Sequence, residues 1–305
     1  MNAIDTKMID LAQFKSVRGT VRVNESMSAH TSWKVGGPAR YFFEPADEAD
    51  IACFLAELDL DIPVLWIGLG SNLLVRDGGY PGAVIAGHRG LRDLVMTDQG
   101  VSAQSGVSCA RLSRFANKHC LTGAEFFSGI PGTVGGALRM NAGAFGSETW
   151  QHVQKVRLID RSGKISEESA DRFSVDYRQV NVDQGRWFTG ATFQFEASAS
   201  ANGATVVRSL LEERGKRQPI GQASAGSVFK NPPGDFAARL IESAGLKGVR
   251  SGGASVSLQH ANFIVNDQSA SAEDIETLIT RIQQAVYQHS EIRLETEVRI
   301  VGEHR

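Results

Sequence analysis

The segment Ser128–Gly146 carries six glycines in nineteen residues, where 32 glycines in 305 would place about two there. Glycine removes the Cβ and permits left-handed dihedrals, so a ligand can be held against main-chain N–H groups, the usual partners of phosphate oxygens. A tight turn between elements is the plainer reading, but turns rarely need glycines interleaved with Ile130, Val134, Met140 and Asn141. A second run follows an apolar stretch. Pro63-Val64-Leu65-Trp66-Ile67 reads as a short buried strand that opens into Gly68-Leu69-Gly70-Ser71-Asn72, with Leu73-Leu74-Val75 a further strand. Strand, glycine turn and small polar residues together make a pyrophosphate cradle. The dinucleotide fingerprint would need glycine and a helix start at Leu73, and the ATP phosphate loop is absent. With Thr31–Arg40, which contains Gly36 and Gly37, there are three such loops, pointing to one large phosphate-bearing cofactor.

Loops of this kind need a framework. Asp47–Leu60 spaces Ile51, Phe54, Leu55 and Leu58 as an amphipathic helix, and Ser108–His119 forms another. Strands are expected at Ala83–Ala86, Val101–Gln104, Val153–Asp160 and Trp187–Glu196, with Arg161-Ser162-Gly163-Lys164 a hairpin turn. The small, polar stretch Ala197–Gly203 reads as a linker. Beyond it, Val206–Arg217 is helical. Asp235 is expected to cap a helix bearing Phe236, Leu240, Ile241 and Ala244 that ends at Gly245. Ser271 with Asp274 forms a capping box for a longer helix, and Ile292–Val301 alternates as a strand. Helices set against a small sheet make this part α+β.

At 305 residues the chain exceeds one ordinary core, so two or three domains are expected. A formal net charge of −2 gives no global attraction for nucleic acid or an anionic membrane, so an anionic ligand must be held by local groups. Cys53, Cys109 and Cys120 lack metal or redox spacing and read as reduced thiols. Met1–Arg22 is studded with charge and has no long apolar run. It reads as neither signal peptide nor membrane anchor, and a cytoplasmic location is expected.

Six ordered motifs then converge. Thr31–Ala39, Gly68–Asp77, Gly129–Gly146, Tyr177-Arg178, Ala225–Pro232 and Leu294–Gly302 resemble, in that order, the UDP-N-acetylenolpyruvoylglucosamine reductase family, over roughly Ser28–Gly302. The resemblance implies an α+β fold: an FAD-binding region of two α+β subdomains, of the vanillyl-alcohol-oxidase type, and a C-terminal α+β substrate domain. Boundaries follow at residues 1–27 for an N-terminal extension, 28–200 for the FAD region and 201–305 for the substrate domain. It implies an NADP-dependent flavoenzyme of peptidoglycan precursor synthesis, hence of cell-wall biogenesis, cell shape and division. Hydride would pass from NADPH to the flavin and on to the enolpyruvyl group of a UDP-sugar, followed by protonation. The FAD is expected to be non-covalent, since no attachment motif is present; His30 is the nearest histidine to consider. No metal, nucleic acid or membrane partner is implied.

The same resemblance assigns residues. Thr31, Val35, Gly36, Gly37, Gly68, Gly70, Ser71, Asn72, Leu73, Gly129, Pro131, Gly132, Gly135, Gly136, Asn141 and Gly143 would hold FAD. Arg178, Ser227 and Glu297 would be catalytic, and Tyr177, Arg217, Lys230 and Asn231 would bind substrate. Taken alone, Arg178 also reads as a surface arginine, Ser227 as a turn residue, and Lys216 with Arg217 as a solvated basic face. Strand parity puts Glu295 and Glu297 on one face and does not separate them; the resemblance selects Glu297. Val180 stands where the family pattern has serine. Few residues separate Arg178 from the Trp187 strand, so the chain is similar to the short type that lacks a tyrosine-bearing substrate loop. A flavin-dependent sugar or alcohol oxidase and a non-catalytic flavin or UDP-sugar binder are the competing readings. Ala225–Pro232 argues against the first, and the joint presence of Arg178, Ser227 and Glu297 against the second.

Overall fold

The computed structural model describes residues 11–197 and 203–305. The linker read at Ala197–Gly203 lies, apart from its two end residues, outside them, as do the first ten residues of the N-terminal segment. The fold is α+β, built on two sheets and a C-terminal unit.

The first sheet orders its strands Thr20–Ser26, Pro38–Glu44, Tyr80–Ala86 and Val64–Ile67; the first pair is antiparallel and the other two are parallel. Parallel strands of one sheet need crossovers, and Glu48–Glu57 supplies the one from Pro38–Glu44 to Val64–Ile67, which flank Tyr80–Ala86. Asp47 caps this helix by accepting the Asp50 N–H at 2.9 Å, and Ile51, Phe54 and Leu55 bury against Tyr41, Phe43 and Ile85. Thr20–Ser26, from the stretch read as an extension, is thus an edge strand of this sheet.

Five antiparallel strands form the second sheet, in the order Ile165–Ser169, Val153–Asp160, Arg186–Phe193, Gly100–Gln104 and Leu94–Thr97. The helices Cys109–Lys118 and Val134–Met140 supply Leu112, Ala116, Ala137 and Leu138 to its core. Ser108 caps the first by accepting the Arg111 N–H.

In the C-terminal unit, helices Ala237–Ser243 and Ala272–Ser290 pack on a small sheet of Arg250–Ser251, Ala254–Val256 and Ile264–Asn266. The capping box of Ser271 and Asp274 is present. The expected Asp235 cap is not: the helix starts at Ala237, whose N–H donates to Asn231 Oδ1 at 3.1 Å, while Asp235 pairs with Arg239. Phe236 is 66% exposed, outside the apolar face. Gly245, at φ +72°, does end the helix turn. The strand expected at Ile292–Val301 contracts to Arg299–Val301, because Glu297 and Val298 both donate their N–H to Val228 O and bend the chain there.

That last strand runs parallel to Leu73–Val75 and is its partner in a two-stranded sheet. The stitching continues with Trp33, fully buried, whose Nε1 donates to Ile264 O at 2.8 Å while Asn266 Nδ2 donates to Trp33 O at 2.9 Å. Asn72 Nδ2 donates to Glu297 O at 3.0 Å. The C-terminal unit is therefore fixed over the Gly68–Asn72 loop.

Candidate active site

A cleft of about 1460 Å³ opens where the two sheets and the C-terminal unit meet. Gly68, Gly70, Ser71, Asn72 and Leu73 line one wall, with Gly129, Pro131, Gly132, Gly135, Gly136 and Gly143 opposite. The glycines are there for two different reasons. A Cβ on Gly70 would lie 2.0 Å from His30 O, on Gly68 2.4 Å from Thr133 Oγ1 and on Gly135 2.8 Å from Ser105 Cβ, so these positions serve the packing of loop on loop. Gly136 meets nothing nearer than 4.0 Å and Gly132 only Ser71 Oγ at 3.2 Å, so their missing side chains leave open cleft. Along the facing loop, the N–H groups of Leu69, Gly70 and Ser71 donate to no protein group among the described residues.

Five residues assigned to the cofactor do not line this cleft. Thr31 Oγ1 donates to Val35 O at 2.8 Å, and Val35 is buried in the C-terminal core. Cβ atoms on Gly36 and Gly37 would meet Val75 Cβ at 3.0 Å and Asp77 O at 2.3 Å. Asn141 is the left-handed C-cap of helix Val134–Met140 and is held by Glu148 and Trp150. Gly36 and Gly37 thus serve close packing on Met27, Val75, Asp77 and Gly79 within the first sheet's unit, a packing demand that in sequence is indistinguishable from a ligand's. His30, stacked on Phe42 and bonded to Glu25, is also off the cleft wall.

The chemistry-bearing side chains gather near the Gly143 turn. Tyr177 and Arg178 join the strands Val175–Asp176 and Gln179–Val180, with Arg178 at φ +57°. Arg178 Nε lies 3.2 Å from Glu297 Oε1, Nη1 donates to Asn141 O at 3.2 Å, and Nη2 donates to Gly143 O at 3.3 Å. Glu148 Oε1 is 3.5 Å from Nη1, and the Tyr177 ring lies 4.8 Å from the guanidinium carbon. Val180 buries its side chain in the core of the second sheet and offers its carbonyl to Arg139 Nη1 at 2.8 Å. Backbone carbonyls and Glu148 support Arg178 where the family pattern has a serine.

Glu297 and Glu295, inseparable by parity, part company in space. The Glu295 side chain is 77% exposed and meets Lys230 Nζ at 3.4 Å, whereas that of Glu297 is 19% exposed and faces Arg178 on the cleft wall. Burial pushes the Glu297 carboxyl above the usual glutamate range, against the lowering pull of Arg178 and Lys230. Ser227, on the same wall, follows Gly226 at φ +74° and precedes the buried pair Val228 and Phe229. Asn262 pins this loop through Val228 N to its carbonyl and Phe229 N to its Oδ1, both at 2.9 Å, and its Nδ2 donates to Phe229 O at 2.8 Å. Glu297 N closes on Val228 O at 2.8 Å, which brings the Ser227 and Glu297 segments together.

Tyr177, Lys230, Asn231 and Arg217 also border the cleft. Arg217 is largely solvated and paired to Glu213. One turn earlier, Arg214 is more deeply placed: burial depresses its guanidinium pKa, its Nε donates to Gln218 Oε1 at 2.7 Å, and it has no carboxylate partner among the described residues. Sequence reasoning missed Arg214, Asn262 and Glu148. The first was masked by a basic run; the other two make their contacts through loops that carry no periodic signal.

A family model described as UDP-N-acetylenolpyruvoylglucosamine reductase, C-terminal domain, matches residues 218–301, and one described as FAD binding domain matches residues 39–169. The chain is 50% identical to the UDP-N-acetylenolpyruvoylglucosamine reductase of Nitrosomonas eutropha, over 95% of this chain and 91% of that one. Against the enzyme of the same name from Alkalilimnicola ehrlichii it is also 50% identical, over 93% and 96%. The solved UDP-N-acetylenolpyruvylglucosamine reductase of Thermus caldophilus superposes with a TM-score of 0.78 at 30% identity, covering 93% of this chain and 98% of that one. With its fold, its cleft and these likenesses in agreement, the chain belongs to the UDP-N-acetylenolpyruvoylglucosamine reductase family.

Proposed function

We propose that this chain is an FAD-dependent reductase that converts UDP-N-acetylglucosamine enolpyruvate to UDP-N-acetylmuramate with NADPH, a step of peptidoglycan precursor synthesis carried out in the cytoplasm. The observation that carries the reading is the meeting of Arg178, Glu297 and the Ser227 loop on the wall of a glycine-lined cleft. The cleft fits FAD: three consecutive N–H groups at Leu69–Ser71 await acceptors, and Gly132 and Gly136 leave space for close approach. Bound FAD supplies the relay of hydride from NADPH to the vinyl carbon of the substrate. Residues 28–200 would then form the FAD-binding region and 201–305 the substrate domain.

This chain's own residues handle the charge and the proton. As hydride reaches the vinyl carbon, negative charge grows on the neighbouring carbon and its carboxylate. The permanently charged Arg178, held on three sides by Glu297, Asn141 O and Gly143 O, is pre-oriented to stabilise it. Ser227 delivers the proton to that neighbouring carbon. A serine hydroxyl is a weak acid, so its transfer depends on orientation by the Asn262-braced loop and on Arg178 and Lys230, cations that line the same cleft. Glu297, with its raised affinity for protons, backs that step from the other side of Arg178. Tyr177, Arg217, Lys230 and Asn231 are placed along the cleft to take the UDP-sugar. No part of this assignment needs a covalent flavin or oxygen as acceptor.

The test is stopped-flow reduction of the purified, FAD-loaded chain by NADPH under anaerobic conditions, followed by mixing with the enolpyruvyl substrate. Bleaching of the flavin by NADPH and its recovery on substrate addition are expected. Bleaching that reverses only with oxygen would sink the reductase reading.

A further inference from the structure

Arg178 has a second carboxylate beside it that the proposed chemistry does not use. Glu148 Oε1 stands 3.5 Å from Nη1, while Glu148 Oε2 accepts Asn141 Nδ2 at 2.9 Å. Its backbone N–H is bonded to the Gln151 side chain at 3.2 Å in a reciprocal capping box. Asn141, held in the left-handed region at φ +41°, turns its carbonyl to the same guanidinium nitrogen. Glu148 pairs with Gly143 across the short sheet Gly143–Ala144 and Ser147–Glu148, and Gly143 O is the acceptor for Nη2. Glu148 therefore faces the charge of Arg178 and holds Asn141 with its carboxylate, and pairs through its backbone with Gly143, so that one residue supports both carbonyls that hold the guanidinium.

The two carboxylates meet different surroundings. Glu297 faces Arg178 and Lys230 and lies deep on the cleft wall; Glu148 faces Arg178 and the neutral amides of Asn141 and Gln151. If Glu297 were the guanidinium's sole anionic partner, each proton it took up would strip Arg178 of its counter-charge, and each proton it lost would tighten the pair.

We propose that Glu148 is a positioning residue, the standing counter-charge of Arg178, which fixes the guanidinium on the Gly143 turn so that Glu297 can change protonation state without Arg178 leaving its place. This rests on the reductase reading for its meaning but not for its measurement.

The experiment uses the FAD-loaded chain and follows the protonated-carboxyl infrared band that is present in the wild type and lost in Glu297→Gln, across a pH titration that needs no substrate. Glu148→Gln keeps an acceptor for Asn141 and the shape of the cap but removes the charge. Its Glu297 band should titrate about one pH unit lower, because Arg178 then answers to one carboxylate alone. In the same variant, reoxidation by the enolpyruvyl substrate should slow at least tenfold while reduction by NADPH and FAD content are unchanged. Glu148→Asp, which keeps the charge, should titrate as the wild type does.

A Glu297 band unmoved in Glu148→Gln would overturn the proposal, as would equal slowing of both half-reactions. Should Glu148→Gln fail to fold, Glu148→Ala decides on the same band: a downward shift supports the charge role and an unmoved band refutes it. A wild-type chain unreactive toward the substrate would instead defeat the reductase reading and leave the infrared result standing.

Discussion

Asn262 and Phe229 exchange hydrogen bonds in both directions, Phe229 N to Asn262 Oδ1 at 2.9 Å and Asn262 Nδ2 to Phe229 O at 2.8 Å, with both residues buried. The loop bearing Ser227 is thereby tied to a segment that contributes no group to the chemistry itself. Asn262→Ala would orphan one buried donor and one buried acceptor, and we expect the apoprotein to lose about 2–4 kcal/mol in denaturant unfolding. FAD affinity should hold, while reoxidation by substrate slows. Unchanged stability would show that the pair is dispensable.

The two kinds of glycine should respond oppositely to alanine. At Gly136, inside helix Val134–Met140 with open cleft beside it, alanine should stabilise the apoprotein by about 0.5–1 kcal/mol through helix propensity and weaken FAD binding. At Gly70, where φ is +63° and a Cβ would lie 2.0 Å from His30 O, alanine should destabilise the fold itself. Thermal melts of the apoproteins and flavin titrations separate the two; a Gly136→Ala chain that binds FAD as well as the wild type would remove that position from the cofactor wall.

Glu297 gives the apoprotein a signed pH dependence. Its proton affinity is higher folded than unfolded, so its favourable contribution is fully present below the ordinary glutamate value of 4.5 and is lost as pH rises through the raised folded value. Compared with Glu297→Gln, wild-type stability should therefore decline as pH rises above that ordinary value. Chemical denaturation of both apoproteins from acid to neutral pH checks it, and a wild type that gains stability over Glu297→Gln as pH rises would reverse the assignment.

Arg178→Lys keeps the charge but loses the planar fork that reaches Glu297, Asn141 O and Gly143 O together. Turnover should fall at least tenfold, equivalent to about 1.4 kcal/mol of transition-state stabilisation. Steady-state assays with near-normal turnover would mark Arg178 as a bystander.

Ser227→Ala isolates the proton. Reduction of the flavin by NADPH involves no proton from serine and should keep its rate, whereas reoxidation by substrate should slow by at least ~100-fold. Substrate affinity should change by no more than about 1 kcal/mol, the usual value of one hydrogen bond. Unaltered reoxidation would move the donor role elsewhere, with Glu297 next to examine.

Much of this could be read from sequence, because local rules governed it. The Ser271–Asp274 capping box, the Asp47–Leu60 amphipathic spacing and the glycine turn after Pro63–Ile67 each depend on neighbours within a few residues. What escaped was decided by partners far along the chain. Asp235 is a local exception: its carboxylate pairs with Arg239 and accepts the Phe236 N–H, while Asn231 takes the N–H of Ala237. Strand parity failed at Glu295 and Glu297 because Val228 O draws in two successive N–H groups and breaks the alternation. Gly36 and Gly37 looked like cofactor glycines because a passing backbone excludes a Cβ as firmly as a ligand does.

The pairing of Leu73–Val75 with Arg299–Val301 sets an order of events during synthesis. Leu73–Val75 emerges early but has its strand partner, Arg299–Val301, far later in the chain. The loop just before it, Gly68–Asn72, can therefore be closed only after Arg299–Val301 has been made. A nascent chain would complete its two N-terminal cores before it could finish that loop.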